Sequence, residues 1–113
     1  MATLSEDRFD EVLRAVADQR RRAILVLVAT QELPAGAIAA EFPTISRPAV
    51  SQHLAVLRDA GLLIERREGT RRIYRTHREA LAVMQQRMAE LWPTALDRFK
   101  AYAESLPDEQ EQP

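Results

Sequence analysis

The sequence predicts a mainly α-helical domain carrying one small β-hairpin, in the order α-α-α-α-β-β-α. Three observations predict it. The stretch from Ile45 to Gly61 has a sharp start, a sharp stop and two chemically different faces. Directly after it the pattern changes to two short strand-like runs around Glu68-Gly69-Thr70. From residue 78 to residue 106 a long apolar stripe recurs at helical spacing.

Taken in order, residues 1–106 read as one domain and residues 107–113 as a disordered acidic tail. Ser5 is placed to cap a first helix, with Glu6 and Asp7 at its positive end and Phe9, Val12, Leu13 and Val16 on one buried stripe. Asp18 opens a second helix that runs to about Ala29; its stretch Ala23 to Ala29 is apolar nearly all round, which suits a central helix. Arg20, Arg21 and Arg22 sit in its first turns, where the helix dipole prefers anions. Salt bridges to Asp10, Glu11 or Asp18 would account for them, with a phosphate contact as the alternative. Glu32 to Gly36 is a connector, Pro34 starts a short third helix over Ala35 to Phe42, and Pro43-Thr44 breaks it. A short helix, a tight turn and a capped second helix make a helix-turn-helix over residues 35–61.

The fourth helix is the best defined. Ser46 is its N-cap, Pro48 falls in the first turn where a missing N–H costs nothing, and Gly61 stands where the chain must leave. At 100° per residue Val50, Leu54 and Leu57 form an apolar face, flanked by Ala49, His53, Val56 and Ala60. Pro48, Ser51, Gln52, Ala55 and Asp59 lie opposite. Small hydroxyl and amide side chains let a helix approach the floor of a DNA groove.

Leu62 to Arg67 and Arg71 to Thr76 then read as a hairpin over residues 62–76, a wing, with arginines densest at its tip. The last helix, residues 78–106, is longer than one small core needs. Its stripe, with Phe9 and Leu13 from the first helix, reads as a homodimer surface built on Met84, Met88, Leu91, Trp92, Leu96 and Phe99. Pro93 is expected to bend or split this helix.

The charge is segregated along the chain. Residues 46–78 carry eight arginines against three acids, a local charge of +5 within a chain of net charge −1. Positive charge concentrated on the fourth helix and the wing suits a polyanion partner. Pro48, Ser51 and Gln52 are the candidates for base edges, where Gln can pair bidentately with adenine, and Ala49 is counted with them as DNA-binding. Ser46, Arg47, His53, Arg58, Arg67, Thr70, Arg71 and Arg72 are the candidates for the phosphate backbone or minor groove. His53 is read as packed or touching phosphate rather than holding a metal, and His77 as a strand-to-helix junction. With no cysteine, two histidines and no glycine-rich phosphate loop, the chain lacks the parts of an enzyme site. No run is apolar enough to span a membrane and no signal peptide is visible, so a cytoplasmic, nucleoid-associated protein is expected.

The segment Ile45 to Leu63, followed by Glu68-Gly69-Thr70-Arg71-Arg72-Ile73-Tyr74, resembles the ArsR family of bacterial repressors, and Ala17 to Leu25 looks like that family's second helix. The resemblance implies a winged helix-turn-helix homodimer that binds a palindromic operator in double-stranded DNA, commonly its own promoter, and represses transcription. Metal-sensing members place cysteines on the helix before the turn, or His and Asp pairs along the dimer helix. This chain has Glu32-Leu33-Pro34-Ala35-Gly36 at the first place and only His77 along the second. It is most similar to members without a metal site, so no metal or cofactor is expected, and the residues name no inducer. A winged-helix protein-interaction adaptor that does not bind specific DNA is the alternative.

Overall fold

In a computed structural model, residues 4–107 are described, with the side chains of Trp92, Thr94, Ala95 and Leu96 excepted. The expected interface side chains Trp92 and Leu96, and the tail from residue 108, lie outside the described residues. Helix α1 spans Glu6–Val16, α2 Gln19–Leu27, strand β1 Leu33–Pro34, α3 Ala35–Ala40, α4 Arg47–Asp59, β2 Leu63–Glu68, β3 Arg71–Thr76 and α5 Arg78–Ser105.

The caps form as the residues require. Ser5 accepts from the Arg8 amide, Asp18 from the Arg20 and Arg21 amides, and Ser46 from the Ala49 amide. Gly61 leaves α4 at φ +81°, and Gly69 turns the wing at φ +63°, both in the left-handed region that glycine enters without strain. Val50, Leu54 and Leu57 of α4 are buried against Val12, Ile24, Leu25, Val28 and Ile38. Each such side chain contributes about 1.5–3 kcal/mol by leaving water. On α2, Ala23 and Val26 face outward, Val26 74% exposed.

Two expectations need correction. The connector at residues 32–36 contains a strand: Leu33 pairs with Tyr74 and Pro34 with Ile73, giving a three-stranded antiparallel sheet of order β1-β3-β2 rather than a lone hairpin. Proline is tolerated there because β1 is an edge strand with one free side. Phe9, expected on a dimer surface, is only 4% exposed and lies beneath the Arg87 guanidinium, 5.1 Å from its ring centroid. Phe9 and Val12 of that stripe are buried within the protomer, while Leu13 and Val16 are half-buried. Of the two outcomes expected at Pro93, a bend or a split, the split is excluded, because α5 is continuous through it.

The wing is fastened at its base. The Thr76 hydroxyl donates to the Leu25 carbonyl at 2.7 Å and the Thr76 amide to the Val28 carbonyl at 3.0 Å. These bonds end α2 and start the α5 junction at one place. There His77 Nδ1 lies 3.1 Å from the Gly61 carbonyl, which can only accept, so the ring donates.

Candidate nucleic-acid interface

The outer face of α4 is open. Ser46, Arg47, Pro48, Ser51 and Gln52 are exposed, and Ala49 is half-buried. The Ser46 hydroxyl is already engaged as the cap by the Ala49 amide and Pro48 has no N–H, so a phosphate beside it would meet the Arg47 amide and guanidinium. Gln52 and Ser51 point away from the core with no partner among the hydrogen bonds of the described residues, as groups meant for an external surface do. His53 is half-buried, its Nδ1 3.4 Å from Arg21 Nη1, so it packs between α2 and α4.

Two of the three arginines, Arg21 and Arg22, are engaged differently from either expectation. The Arg21 guanidinium donates to the Ala15 carbonyl at 2.6 Å and the Arg14 carbonyl at 3.0 Å; Arg22 donates to the Val16 carbonyl at 2.7 Å. These are carbonyls of the last turn of α1, where helical partners run out; the Arg14 carbonyl also accepts the Ala17 amide at 3.3 Å. The cations are misplaced for their own helix dipole and well placed for that of the preceding helix. Arg8 acts in the same manner on α4, donating to the Asp59 carbonyl at 3.1 Å.

Arg58, expected on the phosphate backbone, is half-buried and paired with Asp59 at 3.2 Å and Glu65 at 3.3 Å. Those two carboxylates raise its pKa further and hold it as a brace between α4 and β2. Glu65 is held below the usual carboxylate range, first by the Tyr74 hydroxyl and then by Arg58, against its partial burial.

The wing divides its arginines between two faces. Register pairs Arg67 with Arg72, Glu65 with Tyr74 and Leu63 with Thr76, so these six share one face, the face whose base is buried in the core. Arg66 and Arg71 lie on the other face. There Arg66 pairs with Glu32 at 2.7 Å and Glu68 at 2.8 Å, and Arg71 with Glu68 at 3.4 Å. Arg67 has no carboxylate within reach among the described residues, and Arg72 has only Glu65 at 3.9 Å. Two guanidinium groups directly opposite across a hairpin destabilise it. An anion between them would reverse the sign.

One feature was not visible in the sequence. Pro34, Ala35 and Gly36 bound, with Thr70, Arg71 and Arg72, a groove of about 470 Å³, and a side chain at Gly36 would meet Arg47 Nη2 at 3.7 Å. The start of α3 thus lies between Arg47 and the wing tip. Only the β1–β3 pairing, which has no local signal, brings it there. Among the described residues no group of three or more His, Cys, Asp or Glu could hold a metal ion, and no helix is long and apolar enough to cross a membrane.

The comparisons agree with this geometry. The sequence profile described as "Bacterial regulatory protein, arsR family" matches residues 18–65, which hold α2 through the first residues of β2. The chain is 39% identical over 100 residues to the HTH-type transcriptional regulator Rv2034 of Mycobacterium tuberculosis, covering 88% of this chain and 92% of that one. It is 38% identical over 60 residues to the transcriptional repressor SdpR of Bacillus subtilis, covering 53% of this chain and 66% of that one. Among solved structures, an ArsR-like transcriptional regulator from Rhodococcus sp. RHA1 superposes with a TM-score of 0.68 at 27% identity, over 88% of this chain and 96% of its own.

Proposed function

The chain belongs to the arsR family of bacterial regulatory proteins and is a DNA-binding transcriptional regulator with a winged helix-turn-helix fold; on that premise we propose that it is a homodimeric repressor of its own or a neighbouring promoter. The observation that carries the reading is the pairing of two surfaces. The uncharged polar face of α4 is flanked by a wing whose Arg67 and Arg72 oppose each other without adequate counter-charge. The first surface suits base edges and the second suits phosphates.

Each protomer then reads one half-site. Pro48, Ala49, Ser51 and Gln52 enter the major groove, Arg47 and the first turn of α4 meet the backbone, and Arg67, Arg72 and Thr70 hold the flanking strand. A two-fold dimer reads an inverted repeat, which makes the operator palindromic. The dimer surface is built on the exposed Met88, Leu91 and Phe99 of α5, with the half-buried Leu13 and Met84 counted to it; Phe9, buried beneath Arg87 of α5, belongs to the protomer. Such a protein works in the cytoplasm, at the nucleoid.

The test is titration of duplex DNA carrying the region upstream of its own gene. A saturable complex at low salt is expected; its absence would sink the repressor reading and favour an adaptor. Gln52→Ala should cost about 1–3 kcal/mol on the bound sequence and relax preference there. An equal loss on every duplex would remove Gln52 from the base-reading set.

A further inference from the structure

A surface that receives phosphate has little use for a carboxylate, yet Glu65 shares a face of the wing with Arg67 and Arg72. Its side chain is 23% exposed, against 54% for Glu68 near the tip. Three groups converge on it. The Tyr74 hydroxyl, from the paired position across the hairpin, and Arg58 Nη1 at 3.3 Å hold Glu65 below the usual carboxylate range and so keep it charged. Arg72 Nη1 stands 3.9 Å from Oε2, the same oxygen that Arg58 uses.

The two arginines depend on Glu65 unequally. Arg58 is half-buried and also donates from Nε and Nη2 to Asp59, both at 3.2 Å. Arg72 is 52% exposed and has no other carboxylate within reach among the described residues. Register places it between opposite charges: Arg67 is directly across the hairpin, and Glu65 is its diagonal neighbour two positions back along β2. Diagonal neighbours lie about 7–8 Å apart, a gap that an arginine side chain bridges. One end of this pair is fixed and the other is free to leave. Glu65 keeps Tyr74 and Arg58 whether or not Arg72 stays.

We propose that Glu65 is a positioning residue that stands in for DNA phosphate: it holds Arg72 in the free protein and competes with the DNA backbone for that guanidinium on every duplex. The proposal rests on the reading of Arg72 as a phosphate contact given above. Binding exchanges one exposed ion pair for another, so affinity settles below what the same arginines would give without the carboxylate. The phosphate contact carries no base information, so the reduction is the same on any sequence. Occupancy of unrelated DNA is held down, and discrimination is left to α4.

Glu65→Gln keeps the shape of the side chain and removes its charge. Affinity is measured at one fixed salt concentration on the duplex upstream of its own gene and on an unrelated duplex, with a melting curve beside it. An exposed ion pair is worth about 1.4- to 5-fold in each protomer, so a gain of about two- to thirtyfold is expected for a dimer, equal on both duplexes. Glu65→Asp, which keeps the charge, should give at most a small part of that gain. In an Arg72→Ala background the gain from Glu65→Gln should vanish. Glu68→Gln, which neutralises an acid on the other face, should have the same effect with and without Arg72. Affinity that falls or stays level in a Glu65→Gln variant with the parent's melting temperature makes Glu65 a strut for the wing and overturns the proposal. A gain that survives Arg72→Ala reduces Glu65 to general charge and overturns it too. Should loss of the carboxylate unfold the wing, Tyr74→Phe carries the test. Released from the hydroxyl, Glu65 turns more of its charge on Arg72, and affinity should fall about twofold; a level or higher affinity overturns the proposal. An Arg72→Ala variant that binds DNA as the parent does removes the phosphate reading itself, and the proposal with it. Weaker binding by Arg72→Ala with no gain from Glu65→Gln overturns the proposal alone.

Discussion

The arginines of α2 and those of the wing are indistinguishable as sequence and opposite in the fold. Arg21 and Arg22 donate into the carbonyl end of α1, at 2.6–3.0 Å, and supply donors to the acceptors of its last turn. Arg67 and Arg72 stand opposite each other across the wing with one carboxylate near, at 3.9 Å from Arg72. The first pair stabilises the protomer. The second sets two like charges opposite each other. A count of basic residues therefore overstates the DNA surface: Arg8, Arg21, Arg22, Arg58 and Arg66 are engaged within the protein.

Substitution can break the comparison from either side. The largest effect belongs to Arg21→Ala. Hydrogen bonds from a charged donor are worth about 1.5–3 kcal/mol each, and Arg21 makes two to carbonyls and one contact to His53. A loss of about 2–3 kcal/mol in denaturant unfolding is expected, with the DNA affinity of the folded fraction within about twofold of the parent. A large affinity loss without a stability loss would transfer Arg21 to the DNA surface.

A smaller effect sits at the same helix start. Asp18 caps α2, and the Arg21 amide, then the Arg20 amide, hold its carboxyl below the ordinary value of 3.8 against a desolvation penalty. A carboxyl depressed in the folded state stabilises above its unfolded pKa. That stability is complete above about pH 4 and is lost as pH falls through the lower folded value. Asp18→Ala should cost about 1 kcal/mol at neutral pH, and the difference from the parent should shrink below pH 4. A difference that persists unchanged into acid would mean the cap acts without its charge. Smallest of all, Arg67→Ala should leave thermal stability equal or raise it by about 0.2–1 kcal/mol, by removing one of two opposed charges. A clear fall in stability would mean that Arg67 has a structural partner.

The same contrast explains what could be read from the residues and what could not. The recognition helix was legible because its signals are local: Ser46, Pro48 and Gly61 act within a turn of themselves, and its apolar period needs no partner. The wing was legible from its glycine turn. Strand β1 was not, because two residues carry no period and Leu33 finds Tyr74 only through the fold. Phe9 was assigned to a partner and is buried at home, since a helical stripe states that a face is covered without saying by what. The arginines of α2 looked misplaced because the dipole they serve belongs to another helix. At the DNA surface, α4 could be drawn from sequence, while the division of the wing's arginines into two faces required the register.

The central claim is that Arg67 and Arg72 are held for phosphate. Its most direct measurement is the salt dependence of duplex binding for the parent and for the Arg67→Ala, Arg72→Ala double variant. Each phosphate contact contributes about 0.9 to the slope of log affinity against log salt. A dimer losing two to four contacts should show a slope shallower by about 2–4, on specific and unrelated duplexes alike. An unchanged slope in the double variant would contradict the claim and leave the wing's opposed charges without a purpose.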